Sequence, residues 1–513
     1  MPAALKDLIH ILERNKSEEL QAWITKNKGT HQGNLYHGIL KDRYKTDKEA
    51  CDDIYGKGSE TGKYRKLKGD LRNNLENLVV FLKVKPKMAN DAEYESAMVN
   101  KDFAIFNNLI IGGGNLCVVD KGERLYERAL AVGKTLIAAT TAKMLIGRGA
   151  IKQDKEKFDK YVKHVEELSK VLKAEDLGAI YTSTAQTWSR KTKASLKKRV
   201  PEIEVMFEKY KEALGDLSSP FTKYYEFTLE LYIHSAANNH TKTLEVAERG
   251  LAYFEKLPFV YPSFLKSFNY YVIIQRGYIK DYEQANIYGQ LNLSWLTVGT
   301  TSWFKTLELL TYAALRSGNY EAATTHWHEA TKHPFFADNS DAMMRDIFKI
   351  YFSQIKMMQE SGVYLPSEKY SAIFKDKFRV STFKNDLELA EKDKSGLNIA
   401  ILFADIIFQV LRGQFDDIEI HFEATQKYLQ RYAQEEGDSR VYQYAKLVEG
   451  GIRVNWDYKK MQGEEFAKIL AYMGTLESSA MDSRFEFEVI TYEELWEFTI
   501  VQLEAIAKRK QKK

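Results

Sequence analysis

The chain has few of the residues that break helices or cross-link chains. Of its 513 residues only 8 are proline, and none lies beyond Pro366. A proline inside a helix removes a donor and clashes with the preceding turn, at a cost of about 3 kcal/mol or more. Long proline-free stretches therefore leave helices free to form. Two cysteines, Cys51 and Cys117, allow at most one disulfide and no Cys-x-x-Cys metal site. That excludes a disulfide-framed scaffold and favours a reducing compartment. Neither charge sign dominates: 75 Lys and Arg against 71 Asp and Glu leave a formal net charge of +4, well short of the surplus expected of a dedicated nucleic-acid binder. No apolar run is long enough to span a bilayer; the most hydrophobic, Leu397 to Leu411, is short and contains Asp405. The opening Met1-Pro2-Ala3-Ala4-Leu5-Lys6-Asp7 lacks the basic and apolar regions of a secretory leader. The expectation is a soluble cytoplasmic protein with no membrane span. Its 44% apolar and 28% charged residues fit globular rather than disordered chains.

The most informative feature present is the turn Gly318-Asn319-Tyr320. Before it, Leu307, Leu310, Ala314 and Leu315 recur at helical spacing; after it, Ala323, Trp327 and Ala330 do the same, and Pro334 closes the unit. This predicts a helix, a tight turn and an antiparallel helix, with small residues where the two meet. Weaker versions occur at Lys280-Asp281-Tyr282, followed by Ala285, at Gly413-Gln414-Phe415, and at Asn238-Asn239-His240. Tyr282 and Tyr320 are 38 residues apart, and Tyr320 and Phe415 are 95 apart, with room for a further divergent helix pair. A helical hairpin cannot bury its own apolar face, so such units stack and share a continuous core. The predicted fold is all-α: an irregular α-solenoid of helical hairpins with a small N-terminal helical domain.

Four regions follow. Residues 1–85 read as the N-terminal helical domain. Ser17 is the expected N-cap of a helix carrying Leu20, Trp23 and Ile24, and Leu67, Leu71, Leu75, Leu78, Val79 and Leu82 form one helix stripe beside Arg65, Lys68 and Arg72. Residues 86–225 read as irregular helices: a turn at Gly112-Gly113-Gly114, one alanine-rich helix from Lys121 to Met144 ended by Gly147 and Gly149, and helices near 155–173 and 202–214. Between the last two lie Trp188 and the basic run Lys191, Lys193, Lys197, Lys198, Arg199. Residues 226–435 hold the repeats. Residues 436–513 read as further helices, with an extended segment Phe485–Ile490, a final helix carrying Leu495, Trp496 and Leu503, and a basic tail.

Candidate chemistry is sparse. Gly133-Lys134-Thr135 resembles the end of a phosphate-binding loop, but Arg128 stands where the first glycine is required, and the stretch reads as helix interior. His326 and His328 point apart on a helix, His326 and His333 lie two turns apart, and Lys332 stands where an HExxH motif needs its second histidine. These histidines read as helix-surface residues. Glu493-Glu494 and Asp416-Asp417 read as helix caps or solvated faces. The aromatic pairs Tyr270-Tyr271, Trp303-Phe304 and Tyr351-Phe352 read mainly as core; any that face a groove would anchor a partner. No catalytic, cofactor or metal residue is assigned.

The 303–334 unit resembles a tetratricopeptide repeat, with Gly318, Tyr320, Ala323, Trp327 and Ala330 in the expected relative places. It departs from that pattern in its first helix, where Thr311 occupies the usual small-residue position and Ala314 replaces a tyrosine. The chain as a whole resembles a family of long, uncharacterised bacterial helical proteins. That resemblance rests on the Leu67–Leu82 helix, on Phe378-Arg379-Val380-Ser381 running into Lys392–Asn398, on Gly413-Gln414-Phe415-Asp416-Asp417, and on Tyr492-Glu493-Glu494-Leu495-Trp496. It implies a helical fold and carries over no activity or functional residue. The structural repeat positions are therefore Gly318, Tyr320, Ala323, Trp327, Ala330, Tyr282, Ala285 and Phe415. The functional expectation is a non-catalytic scaffold or adaptor without a cofactor, binding a protein partner along a helical-repeat surface. One alternative is a nucleic-acid-associated regulator using the basic helix faces. Another is an enzyme or sensor whose site is assembled in space.

Overall fold

The structure, a computed structural model, describes residues 3–58, 61–82, 86, 88–113, 115–152, 154–189, 198–215, 218–387, 396–415, 418, 422, 440–476 and 488–511. Among these residues the chain is all-helical, with one short 3-10 helix, no strand, and a single isolated bridge between Asp91 and Val260. No described helix is long and apolar enough to cross a membrane. The hydrophobic Leu397–Leu411 stretch lies in the helix Gly396–Arg412, where Phe403, Ile406, Ile407 and Phe408 are buried.

The chain divides into two compact units, Met1–Leu172 with Pro258–Val260, and Lys173–Leu257 with Tyr261–Lys513. The first holds two cores. One gathers Leu5, Ile9, Leu12, Leu20, Tyr36, Leu67, Leu71 and Leu75; the other gathers Val99, Phe106, Leu125, Tyr126, Ala138, Ala142 and Tyr161. Ser17 caps as expected, its hydroxyl accepting the Leu20 N–H at 3.2 Å. The leucine-rich helix ends at Val79, earlier than the apolar stripe implies, and Val79 is exposed. The second unit holds a large core from Ile273 to Leu503, with Phe304, Phe348, Tyr351, Phe408 and Trp496 among its largest members, and smaller clusters around Tyr210 and Ile203.

The predicted turns share one geometry. In each, a residue with positive φ ends a helix, and the next residue's N–H bonds the carbonyl five residues back, the paired-bond helix stop that satisfies otherwise orphaned carbonyls. At Gly318 (φ 70°) the bond is Asn319 N–H to Ala314 O, 2.8 Å; at Lys280 (φ 63°) it is Asp281 N–H to Arg276 O, 2.8 Å. At Asn238 (φ 56°) it is Asn239 N–H to His234 O, 2.9 Å, and at Gly413 (φ 68°) Gln414 N–H to Gln409 O, 3.0 Å. In three of these turns the same residue also starts the next helix. The side chains of Asn239, Asp281 and Asn319 accept the N–H of Lys242, Gln284 and Ala322. Each hairpin then closes on small residues. Four positions after the cap stand Thr243, Ala285 and Ala323, and eleven after it Gly250, Asn292 and Ala330, all buried. A Cβ on Gly289 would lie 2.4 Å from Leu310 Cδ2, which fixes how closely the helices Tyr282–Trp295 and Thr301–Arg316 approach.

Lys280 holds a left-handed conformation that costs an L-residue about 1–2 kcal/mol, while glycine loses more chain entropy on folding. Lys280→Gly is expected to stabilise the protein by a net amount of about 0.5–1 kcal/mol, read from denaturant midpoints at unchanged slope.

Several sequence expectations are corrected. The alanine-rich stretch is two helices, Asn115–Ala131 and Thr135–Lys152, split at Gly133 (φ 67°) by the same bond pattern, Lys134 N–H to Ala129 O at 2.8 Å. Gly133-Lys134-Thr135 is thus a hairpin turn between helices and not helix interior. Gly147 and Gly149 do not end the second helix, because the four-residue bond ladder carries an isolated glycine at a cost of only about 1 kcal/mol. The helix expected near 155–173 continues to Ser189 and includes Trp188. Gly114, Lys191, Lys193, Lys197, Asp416, Asp417 and Phe485–Phe487 lie outside the described residues. Within 488–490 the backbone is not a strand, and Val489 and Ile490 are packed into the core.

Candidate functional site

The connection 361–379, between the helices Ala342–Glu360 and Val380–Asn385, is long and contains only the 3-10 turn Ser371–Phe374. Long connections with little secondary structure are where binding groups often gather, and this one also buries Tyr364, Tyr370, Phe374 and Phe378 in the core. This one folds back on the helix Tyr320–Thr331. The Tyr364 hydroxyl donates to Glu321 Oε2 at 2.6 Å, the Ser367 N–H to the same oxygen at 3.3 Å, and the Tyr370 hydroxyl to Thr325 Oγ1 at 3.1 Å.

Beside it opens a cavity of about 800 Å³, lined by parts of four helices and this connection. The helix Ala342–Glu360 contributes Arg345, Lys349, Phe352 and Lys356 at spacings of four, three and four residues, one face of a helix, together with Phe348. Trp327, Phe336, Phe378 and Phe383 complete the aromatic lining, and Lys377 and Arg379 stand on the rim. The Trp327 ring stacks on Phe352 at 4.5 Å, and its indole N–H donates to the Phe348 carbonyl at 3.0 Å. The indole's polar edge is therefore spent, and the rings offer a ligand apolar contact only.

Charged side chains hold the rim backbone in place. Glu360 accepts the Phe378 N–H, and Arg412 donates to the Phe378 carbonyl while lying 3.6 Å from Glu360. Lys356, buried, donates to the Phe374 carbonyl at 2.9 Å and to Gln359 at 3.1 Å, with Glu360 at 3.9 Å. Burial lowers the Lys356 pKa, and Glu360 and Asp376 oppose that shift. Lys349 pairs with Asp346 at 3.1 Å, and Arg345 donates to the Ser340 and Ala337 carbonyls. Lys377 and Arg379 differ from these: both are exposed, and neither has an ion pair among the described residues, although Asp376 and Asp386 also line the cavity. Phe378 between them is buried, so the rim alternates cation, ring, cation.

The structure divides the sequence candidates. Of the repeat positions, Ala285, Ala323 and Ala330 are fully buried, while Tyr282, Tyr320, Trp327 and Phe415 are half-buried against the core. Trp327 alone among them lines the cavity. Of the aromatic pairs, Phe352 faces the cavity while Trp303, Phe304 and Tyr351 are core. The missed signal was the Arg345, Lys349, Phe352, Lys356 spacing. It places three cations and a ring on one face of the helix, but it resembles no catalytic motif.

His326 is not a surface residue. It is 8% exposed, and its Nδ1 is buried without a hydrogen-bond partner. Burial alone holds its pKa down to about 4. The unfolded chain binds this proton near pH 6.5, so stability is lost as pH falls from there toward the folded value, by about 3 kcal/mol in all. His326→Leu is expected to remove that part of the pH dependence of the denaturation midpoint. An unchanged slope between the two pH values would contradict the assignment. His333 instead packs on Trp303 and Phe304, and no described group of three or more His, Cys, Asp or Glu is placed to hold a metal ion.

Glu493 is not a solvated cap. It pairs with Arg440, which is 5% exposed and also binds Glu488 through two hydrogen bonds at 3.0 and 2.8 Å. Glu494 does cap, exchanging bonds with Thr491. Of the basic residues flagged in the sequence, Lys68 pairs with Asp47 and Arg72 with Glu76, both at 2.6 Å, while Arg199 pairs with Glu202 and lies over Trp188.

Comparison of the chain with family models, curated proteins and solved structures returned no match. Function is therefore argued from the chemistry of the cavity.

Proposed function

We propose that this chain is a non-catalytic binding scaffold of the cytoplasm. Its tetratricopeptide-like hairpins stack as an irregular α-solenoid, and it recognises a protein partner at the cavity beside the 361–379 connection. The recurring turn at Asn238, Lys280, Gly318 and Gly413 supports the repeat reading, as does the core from Ile273 to Leu503 that the hairpins turned at Lys280 and Gly318 share. One observation carries the binding reading: an aromatic floor and a cationic rim share a cavity of about 800 Å³, within the range of ligand-holding clefts. Rings that give large contact area at little entropy cost, with arginine and lysine around them, are the composition of recognition surfaces.

The test places a photo-crosslinking residue at position 377 and, in a second protein, at the exposed position 468, which does not line the cavity. Each is irradiated in extract of the source cell. The expected result is a discrete crosslinked protein from position 377 and none from 468. Equal yields from both positions, or no product above background from either, would contradict the proposal.

A further inference from the structure

We infer that the cavity is selective for an acidic peptide segment carrying a central aromatic side chain, which rests on the binding reading above. The ring of that residue enters among Trp327, Phe348 and Phe352, and the flanking carboxylates meet Lys377 and Arg379.

Three features of the lining point to this chemistry. The floor offers no free ring donor, because the Trp327 N–H is bonded to the Phe348 carbonyl. A hydroxyl seated against these rings would therefore gain no bond from them, whereas a bare ring loses nothing there. The rim cations have no ion-pair partner among the described residues and stand exposed on either side of buried Phe378. The other cations are already engaged and act as supports: Lys356 with Arg412 and Glu360 fixes the rim, and Lys349 is neutralised by Asp346. The rim is thus held rigid before binding, which reduces the ordering cost of association. Asp376 and Asp386 line the same cavity, but Arg345, Lys349, Lys356, Lys377 and Arg379 outnumber them, so a basic segment meets a net positive lining and is disfavoured.

The experiment uses the full chain and three fluorescent peptides of equal length in anisotropy titrations. One is Glu- and Asp-rich with a central Phe, the second replaces that Phe with Ser, and the third replaces the acids with Lys. The acidic Phe peptide is expected to bind at least about tenfold more tightly than either of the others, with an affinity that falls as salt rises. Lys377→Glu/Arg379→Glu changes only exposed side chains. It is expected to weaken the acidic Phe peptide by about tenfold or more and to strengthen the Lys peptide. Lys377→Ala/Arg379→Ala serves as the second variant and gives the same loss without the reversal. Equal binding of the Lys peptide or the Ser peptide, or indifference to both variants, would overturn the acidic-aromatic assignment while leaving the cavity as a peptide site. If no peptide binds and a small aromatic carboxylate, 2-naphthoate, does, both the assignment and the protein-partner reading fail. Binding by none of these probes overturns both as well.

Discussion

Arg440→Leu is expected to cost about 3–5 kcal/mol, among the largest losses from any single substitution in this chain. The Arg440 guanidinium donates to both Glu488 oxygens, to Glu493, and to the Met473 carbonyl at 2.8 Å. Burial by itself would lower its pKa, but the bonds to the two carboxylates outweigh that and raise it. The Glu488 side chain is fully buried, and its Oε1 also accepts the Tyr492 N–H at 2.8 Å while its carbonyl accepts the Tyr312 hydroxyl at 3.3 Å. Removing Arg440 strands a carboxylate in the core, and the loss is mostly that uncompensated charge. The double variant Arg440→Leu/Glu488→Leu is therefore expected to recover part of the stability, since it removes the stranded buried carboxylate while Glu493, 34% exposed, keeps access to water. Chemical denaturation of wild type, Arg440→Leu, Glu488→Leu and the double variant checks this. A single variant as stable as wild type, or a double variant worse than the sum of the singles, would contradict it.

Phe348→Ala is expected to cost a similar amount, about 3–5 kcal/mol. The ring is fully buried, meets Phe336 at 5.4 Å and Tyr351 at 6.0 Å, and forms part of the cavity floor. Truncation leaves a void that rigid neighbours fill only partly. Phe348→Leu retains most of the volume and is expected to cost less than half as much, about 1–2 kcal/mol. Thermal and denaturant midpoints of the two variants separate this packing effect from a loss of binding, because the leucine variant folds well enough to be titrated with peptide. An alanine variant within error of wild type would mean that the floor is not packed as described.

Much of the helical framework was legible in the sequence because turn chemistry is local. Gly318, Lys280 and Gly413 were recognisable from the polar or aromatic residue that follows and the apolar spacing on each side, and the structure gives all three the same bond pattern. Gly133 was missed because a glycine amid alanines reads as a tolerated helix residue; only its positive φ reveals the stop. The site was less legible, because a cavity is made of residues distant in sequence. Trp327 and Phe352 were both noted, but they are brought into contact by a hairpin and a neighbouring helix that no periodicity places side by side. The charges were harder still. Arg345, Lys349, Lys377 and Arg379 look alike in sequence. Only their partners show that Lys349 is neutralised and that Arg345 is engaged with backbone carbonyls, while the rim pair stands open.

In the proposed function, recognition occurs at the face built from the helix Ala342–Glu360 and the rim of the 361–379 connection. Hydrogen–deuterium exchange with and without the acidic Phe peptide tests it most directly. The predicted result is slowed exchange in peptides covering residues 342–360 and 371–386, abolished by Lys377→Glu/Arg379→Glu. Protection confined to another part of the chain, or no change at saturating peptide, would contradict it.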